Sequence, residues 1–104
     1  MAAVRIDLHV HSNASDGTDA PAEVVRRARA ADVDVMALTD HDTQAGIAAA
    51  QAALADDLTL IPGIELSCLL DGRSVHLLGY LFDPDDAALQ AETAQIRDDR
   101  TYRA

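Results

Sequence analysis

The sequence predicts an α/β fold with the element order β-α-β-α-β-β-α. Three observations lead there. Short apolar runs at 4–10, 33–38 and 58–70 alternate with alanine-rich stretches of helical period, the pattern of right-handed parallel strand–helix–strand units. Asp71-Gly72 separates the third run from a fourth at 75–82, which signals a tight hairpin. The unusual polar residues sit at the ends of the runs, and folds of this class keep their chemistry at the carboxyl ends of the strands.

The elements follow in order. "VRIDLHV" (4–10) is the first strand, closed by the polar cluster "SNASDGTD". Thr18 or Asp19 is placed to cap the first helix, with Pro21 in its first turn. "PAEVVRRARAA" puts Val24, Ala28 and Ala31 on one face and its arginines on a solvated one. "VDVMAL" (33–38) is the second strand, followed by "TDHDT". "QAGIAAAQAALA" (44–55) is the second helix, with Ile47, Ala50 and Leu54 on its apolar side. "LTLIPGIELSCLL" (58–70) and "VHLLGYLF" form the hairpin, and 83–100 is a last helix with acidic residues near its start and arginines near its end. There is no internal repeat or low-complexity linker.

The chain has 104 residues, enough for one small domain or a piece of a larger one. Hydrophobic residues are 49%, but much of that is alanine, with one phenylalanine and no tryptophan. A core of that composition is thin for a domain this small. Eighteen acidic against eight basic residues give a net charge of −10. Such a surface repels nucleic-acid phosphates and anionic membranes unless a bound cation reverses the field locally. Stable binding to duplex nucleic acid is not expected. The single cysteine, Cys68, excludes an internal disulfide and reads as a small buried residue. No run suggests a membrane span or a secretory signal, so a cytoplasmic setting is expected.

All four histidines fall at or near strands. His9 and His11 are two residues apart on a strand, so they share a face, with β-carbons roughly 6.5–7 Å apart. Two neutral imidazoles at that spacing can lean onto one ion at about 2.0–2.1 Å, with Asp7 and Asp40 available as acceptors that fix their tautomers. A lone strand histidine is more often a half-buried residue satisfied by backbone groups. Here, however, three strand ends offer polar residues: His9 and His11, then Asp40 and His41, then Glu65 with His76 in its hairpin partner. An acid as late as Glu65 in an apolar strand is costly to bury unpaired, and its two oxygens suit it to bridge two ions. Asp16 precedes a glycine in "SDGT", where it reads equally as turn chemistry or as a ligand. Asp40 and Asp42 also suit capping of the second helix.

"DLHVHSNASDGT", "ALTDHDT", "IPGIELS" and "HLLGY", in that order, resemble the successive motifs of the PHP (polymerase and histidinol phosphatase) superfamily, most closely its bacterial metal-dependent phosphoesterases. The resemblance runs from Asp7 to Tyr80. It implies the N-terminal part of a distorted (β/α)7 barrel, over 1–104, with residues 84–104 a helix leading toward a helical insert. It implies two or three divalent ions, manganese, zinc or iron. His9 and His11 would hold the first, with Glu65 bridging to a second that His76 joins, and Asp16 and His41 would hold the third. Glu65 and Asp40 are the implied catalytic residues. Arg97, Arg100 and Arg103 are candidates to contact substrate phosphate. The implied activity is hydrolysis of phosphate esters of nucleotides, nucleoside bisphosphates or short oligonucleotide ends. Family members are longer, and their late motifs supply another histidine and an Asp-x-His pair that this chain does not contain.

Other readings stay open. An amidohydrolase uses the same H-x-H on a first barrel strand. A non-catalytic metal-binding or regulatory fragment would bind ions without turnover. A bare structural fragment would do neither. The early end of the parallel sheet leaves an open edge, which is expected to favour self-association.

Overall fold

A computed structural model describes residues 3–100, apart from the Arg100 side chain. The observed order is β1 (Ile6–Val10), α1 (Pro21–Ala30), β2 (Val35–Leu38), α2 (Ile47–Ala52), β3 (Thr59–Leu70), β4 (Arg73–Tyr80) and α3 (Ala87–Arg100), which is the expected β-α-β-α-β-β-α. One sheet holds all four strands in the order β1-β2-β3-β4. β1, β2 and β3 run parallel, and β4 returns antiparallel to β3. The hairpin closes between Leu70 and Arg73, with positive φ at both Asp71 (50°) and Gly72 (77°). That is the two-residue turn an Asp-Gly pair favours.

The core lies between the sheet and the first two helices. Met36 and Leu38 from β2 pack with Val24 and Val25 of α1 and with Ile47, Ala50 and Leu58. The apolar volume comes mainly from Met36 and Leu38 of β2, the valines, Ile47 and Leu58.

Four local expectations are corrected. α1 is not capped by Thr18 or Asp19. Its N-cap is Ala20 without a side-chain bond, because Asp19 is turned to Arg27 at 3.1 Å and its carbonyl accepts the Asn13 N–H at 2.8 Å. α2 is shorter than 44–55, since buried Gln44 bonds Thr93 of α3 instead of entering the helix. The last helix begins at Ala87 rather than 83, where Asp86 accepts the Leu89 N–H at 2.9 Å. Cys68 is half-buried rather than buried.

Gly63 lets β3 approach β2. A β-carbon there would lie 2.7 Å from Thr39 Cγ2 and 2.9 Å from the Leu38 carbonyl oxygen. Backbone cannot yield as a side-chain tip can, so Gly63→Ala is expected to cost about 1–3 kcal/mol. Urea denaturation of the variant beside the parent measures this. An unchanged midpoint would show that the strands are not in close contact at Gly63.

Candidate metal centre

β1 carries one more residue than β2 between the pairs Asp7↔Met36 and Val10↔Leu38. Such a bulge twists the strand and re-aims its side chains. His9 lies within it and His11 just beyond. The hydroxyl of Tyr80 on β4 donates to the Leu8 carbonyl at 2.7 Å, tying the irregular stretch to the far strand. β3 brings Glu65 to the same place. Its N–H bonds the Asp40 carbonyl and its carbonyl accepts the Asp42 N–H, both at 3.0 Å, which sets His41 beside it. The hairpin register places Ser67 opposite His76.

The side chains converge on Glu65, whose side chain is only 7% exposed. Glu65 Oε1 lies 2.6 Å from His9 Nε2 and 2.8 Å from His11 Nε2. Its Oε2 lies 2.7 Å from His76 Nδ1 and 3.9 Å from His41 Nδ1. Asp16 forms a flanking cluster, with Oδ1 2.7 Å from His11 Nδ1 and Oδ2 3.3 Å from His41 Nε2. The four rings form a chain with centroids 5.2, 4.5 and 5.0 Å apart.

Three overlapping groups of donors result: His9, His11 and Glu65; His11, Asp16 and His41; His41, Glu65 and His76. In each, the ligand atoms lie within 4.8 Å of one another. All are imidazole nitrogens or carboxylate oxygens, a set that suits zinc, manganese or iron. Two donors at about 2.05 Å from a tetrahedral ion stand about 3.3 Å apart, so the hydrogen-bonded pairs need open by only a fraction of an ångström. A neutral imidazole offers one lone pair, so His11 and His41 can each serve one ion, whereas Glu65 can serve two.

His11 faces carboxylate oxygens with both nitrogens. An ion on Nε2 would leave the ring proton on Nδ1, donated to Asp16. That is the usual orienting bond of a metal-bound imidazole. The expected acceptors, Asp7 and Asp40, do not fill this role. Asp7 Oδ1 accepts the His9 backbone N–H at 3.2 Å. Asp40 is turned to Ser12 and Ser15.

Burial pushes the Glu65 carboxyl up, but hydrogen bonds from His9 and His11 and the charges of His41 and His9 outweigh it and hold it below the usual range. Asp16 is likewise pushed up by burial and held lower by the His11 hydrogen bond and the charges of His11 and His41. A carboxyl depressed on folding stabilises the fold above its unfolded value, about 4.3 for Glu, and that stability is lost as pH falls through the lower folded value. Asp16 is 61% exposed and adds little. The metal-free chain is therefore expected to lose stability below about pH 4, and Glu65→Gln should flatten that slope. Denaturation midpoints between pH 5 and 3, taken as roughly spanning the carboxylate range, check it. A slope unchanged in Glu65→Gln would contradict the assignment.

Of the arginine candidates, Arg97 Nη1 donates to the Asp42 carbonyl at 2.7 Å. Arg103 and the Arg100 side chain lie outside the described residues. Sequence reasoning missed Ser12 and Ser67, which both bond aspartates of the "TDHDT" segment.

The PHP domain pattern matches residues 7–98. This chain belongs to the PHP domain family. It is 44% identical over 100 residues to a 5'-3' exoribonuclease of Haemophilus influenzae, covering 92% of this chain and 36% of that protein. It is 43% identical over 100 residues to a 3',5'-nucleoside bisphosphate phosphatase of Chromobacterium violaceum, covering 95% of this chain and 35% of that protein. A solved amidohydrolase structure from Chromobacterium violaceum, with bound sulfate and no metal, superposes with a TM-score of 0.89 at 42% identity, over 96% of this chain and 36% of that one. The PHP chain thus spans about a third of the length of the relatives it matches. Its α/β sheet fits the first part of the barrel implied by the motifs. No helix among the described residues is long and apolar enough to cross a membrane.

Proposed function

We propose that this chain forms the N-terminal part of a metal-dependent phosphoesterase. Its substrates are phosphate esters of nucleotides, nucleoside bisphosphates or short oligonucleotide ends, hydrolysed in the cytoplasm. The observation that carries the reading is Glu65, buried with His9 and His11 on one oxygen and His76 on the other. His9, His11 and Glu65 Oε1 would hold one ion, Glu65 Oε2 and His76 a second, and Asp16 and His41 a third. Manganese, zinc or iron there would supply a nucleophilic water at neutral pH and a positive clamp for phosphoryl oxygens. The ligands bring only two carboxylates, so the loaded centre keeps positive charge for an anionic substrate. That offsets a chain of net charge −10. Residues 84–104 are proposed to lead toward a helical insert, with Arg100 and Arg103 reaching substrate phosphate.

The two relatives named as nuclease and phosphatase support phosphate-ester hydrolysis. The relative named as an amidohydrolase keeps amide hydrolysis as a second reading. Metal content, phosphate release from nucleotides and turnover of amides, all measured on one preparation of the chain extended to the relatives' length, separate the readings. Bound metal with phosphate release supports the proposal. Metal without turnover favours a non-catalytic or regulatory role, and amide turnover alone favours the second reading. In the same protein His41→Ala is expected to lower the metal count by about one ion while the His9–His11 ion stays bound. An unchanged count by elemental analysis would refute the third position.

β1 and β4 are the sheet edges, and Ile6, Leu8, Val75 and Leu77 on them are exposed. We propose self-association through these edges, read by sedimentation over a concentration series.

A further inference from the structure

His41 is flanked by two buried aspartates, Asp40 at 1% and Asp42 at 0% exposed. Both engage a serine in the same way. Asp40 Oδ1 accepts the Ser12 N–H at 2.6 Å and its Oδ2 accepts the Ser12 hydroxyl at 2.7 Å. Asp42 Oδ1 accepts the Ser67 N–H at 2.6 Å and its Oδ2 accepts the Ser67 hydroxyl at 2.7 Å. Neither aspartate belongs to the three donor groups.

The serines stand at telling places. Ser12 directly follows His11 and opens the turn that carries Asp16. Ser67 follows Glu65 by two residues, so it shares that face of β3, and it stands opposite His76. The regular ladders of β2 stop at Leu38, paired with Val10 on one side and Pro62 on the other. Of the candidate ligands, His11, Asp16, His41 and Glu65 lie beyond that point, while His9 lies in the β1 bulge just before it. There β1 and β2 have no further ladder pairs, and β2 and β3 only the His41–Glu65 bridge, to fix their spacing, while β3 and β4 stay paired from Gly63 to Leu70; an ion site needs its donors held within about 0.5 Å. Asp42 has a φ of 54°, a left-handed conformation that aspartate tolerates, and Arg97 holds its carbonyl.

We propose that Asp40 and Asp42 are paired positioning residues, each clamping a different strand to the His41 segment and so setting a different ion position. Asp40 acts through Ser12 on His11 and Asp16. Asp42 acts through Ser67 on Glu65 Oε2 and His76. The proposal rests on the metal reading given above.

Titrating the full chain with Zn²⁺, while following each histidine's ring signals by NMR, tests it. Ser67→Ala should weaken the Zn²⁺ response of His76 about tenfold, as loss of an outer hydrogen bond does, and leave His9 and His11 as in the parent. Ser12→Ala should weaken His11 and His41 by a similar factor and leave His76 as in the parent. Ser67→Thr keeps the hydroxyl and should bind as the parent does. Asp42→Asn keeps an oxygen for the Ser67 N–H. It serves if Ser67→Ala does not fold, with a smaller loss confined to His76. Equal weakening of all histidines in both serine variants, or no change in either, would overturn the positioning roles while leaving the metal reading intact. A parent chain whose histidines do not respond to Zn²⁺ would overturn the metal reading itself, and this proposal with it.

Discussion

Glu65→Gln is expected to weaken two ion positions at once, by more than about a hundredfold each. Glu65 is a buried side chain whose two oxygens face different histidines, with His9 and His11 on Oε1 and His76 on Oε2. Losing an outer hydrogen bond to a ligand typically costs 10–100-fold in affinity, and a shared ligand contributes more. Glutamine has nearly the same shape, keeps an oxygen acceptor and lacks the charge. The fold should therefore persist, as circular dichroism would show, while the metal count falls by about two, since a ligand shared by two ions is lost. His9→Ala touches one position and should lower the count by about one. Equal effects of the two substitutions would show that Glu65 does not bridge.

The second large effect concerns turnover. The 104 residues provide two or three protein donors for each proposed ion, so other groups must complete each shell. Loosely held ions misplace the reacting atoms, and misplacement of about 1 Å can cost roughly a hundredfold in rate. Phosphate release from a nucleotide with manganese is expected to stay near background for this chain. A longer chain spanning the relatives' full length should exceed it by at least about a hundredfold. Both need matched metal loading and checked folding. Equal rates would mean that the residues named here suffice, and that the assignment of one buried glutamate to two incomplete shells is wrong.

Much of the fold was legible because its signals are local. Asp71-Gly72 specifies a two-residue turn by backbone preference, and the observed hairpin closes there. The apolar runs give the strands within about two residues. The helix starts were less legible because neighbours override propensity. Asp19 could cap α1 but pairs with Arg27 instead, and Gln44 could enter α2 but bonds Thr93. In the candidate centre, the unusual residue types were visible: a histidine pair on one strand and an acid late in another. That Glu65 faces histidines from three other strand segments depends on register and on the β1 bulge, which no short pattern encodes. The partners of Asp40 and Asp42 were hidden for the same reason. Ser12 is 28 residues from Asp40 and Ser67 is 25 from Asp42, and a serine in or just after a strand is too common to stand out.

The most direct measurement is an anomalous difference map from crystals of this chain soaked with manganese and phosphate. The account predicts ion peaks between His9, His11 and Glu65, between Glu65 and His76, and between Asp16 and His41, with phosphate against them. Manganese bound elsewhere, with the Glu65–histidine contacts still closed at their present distances, would contradict it.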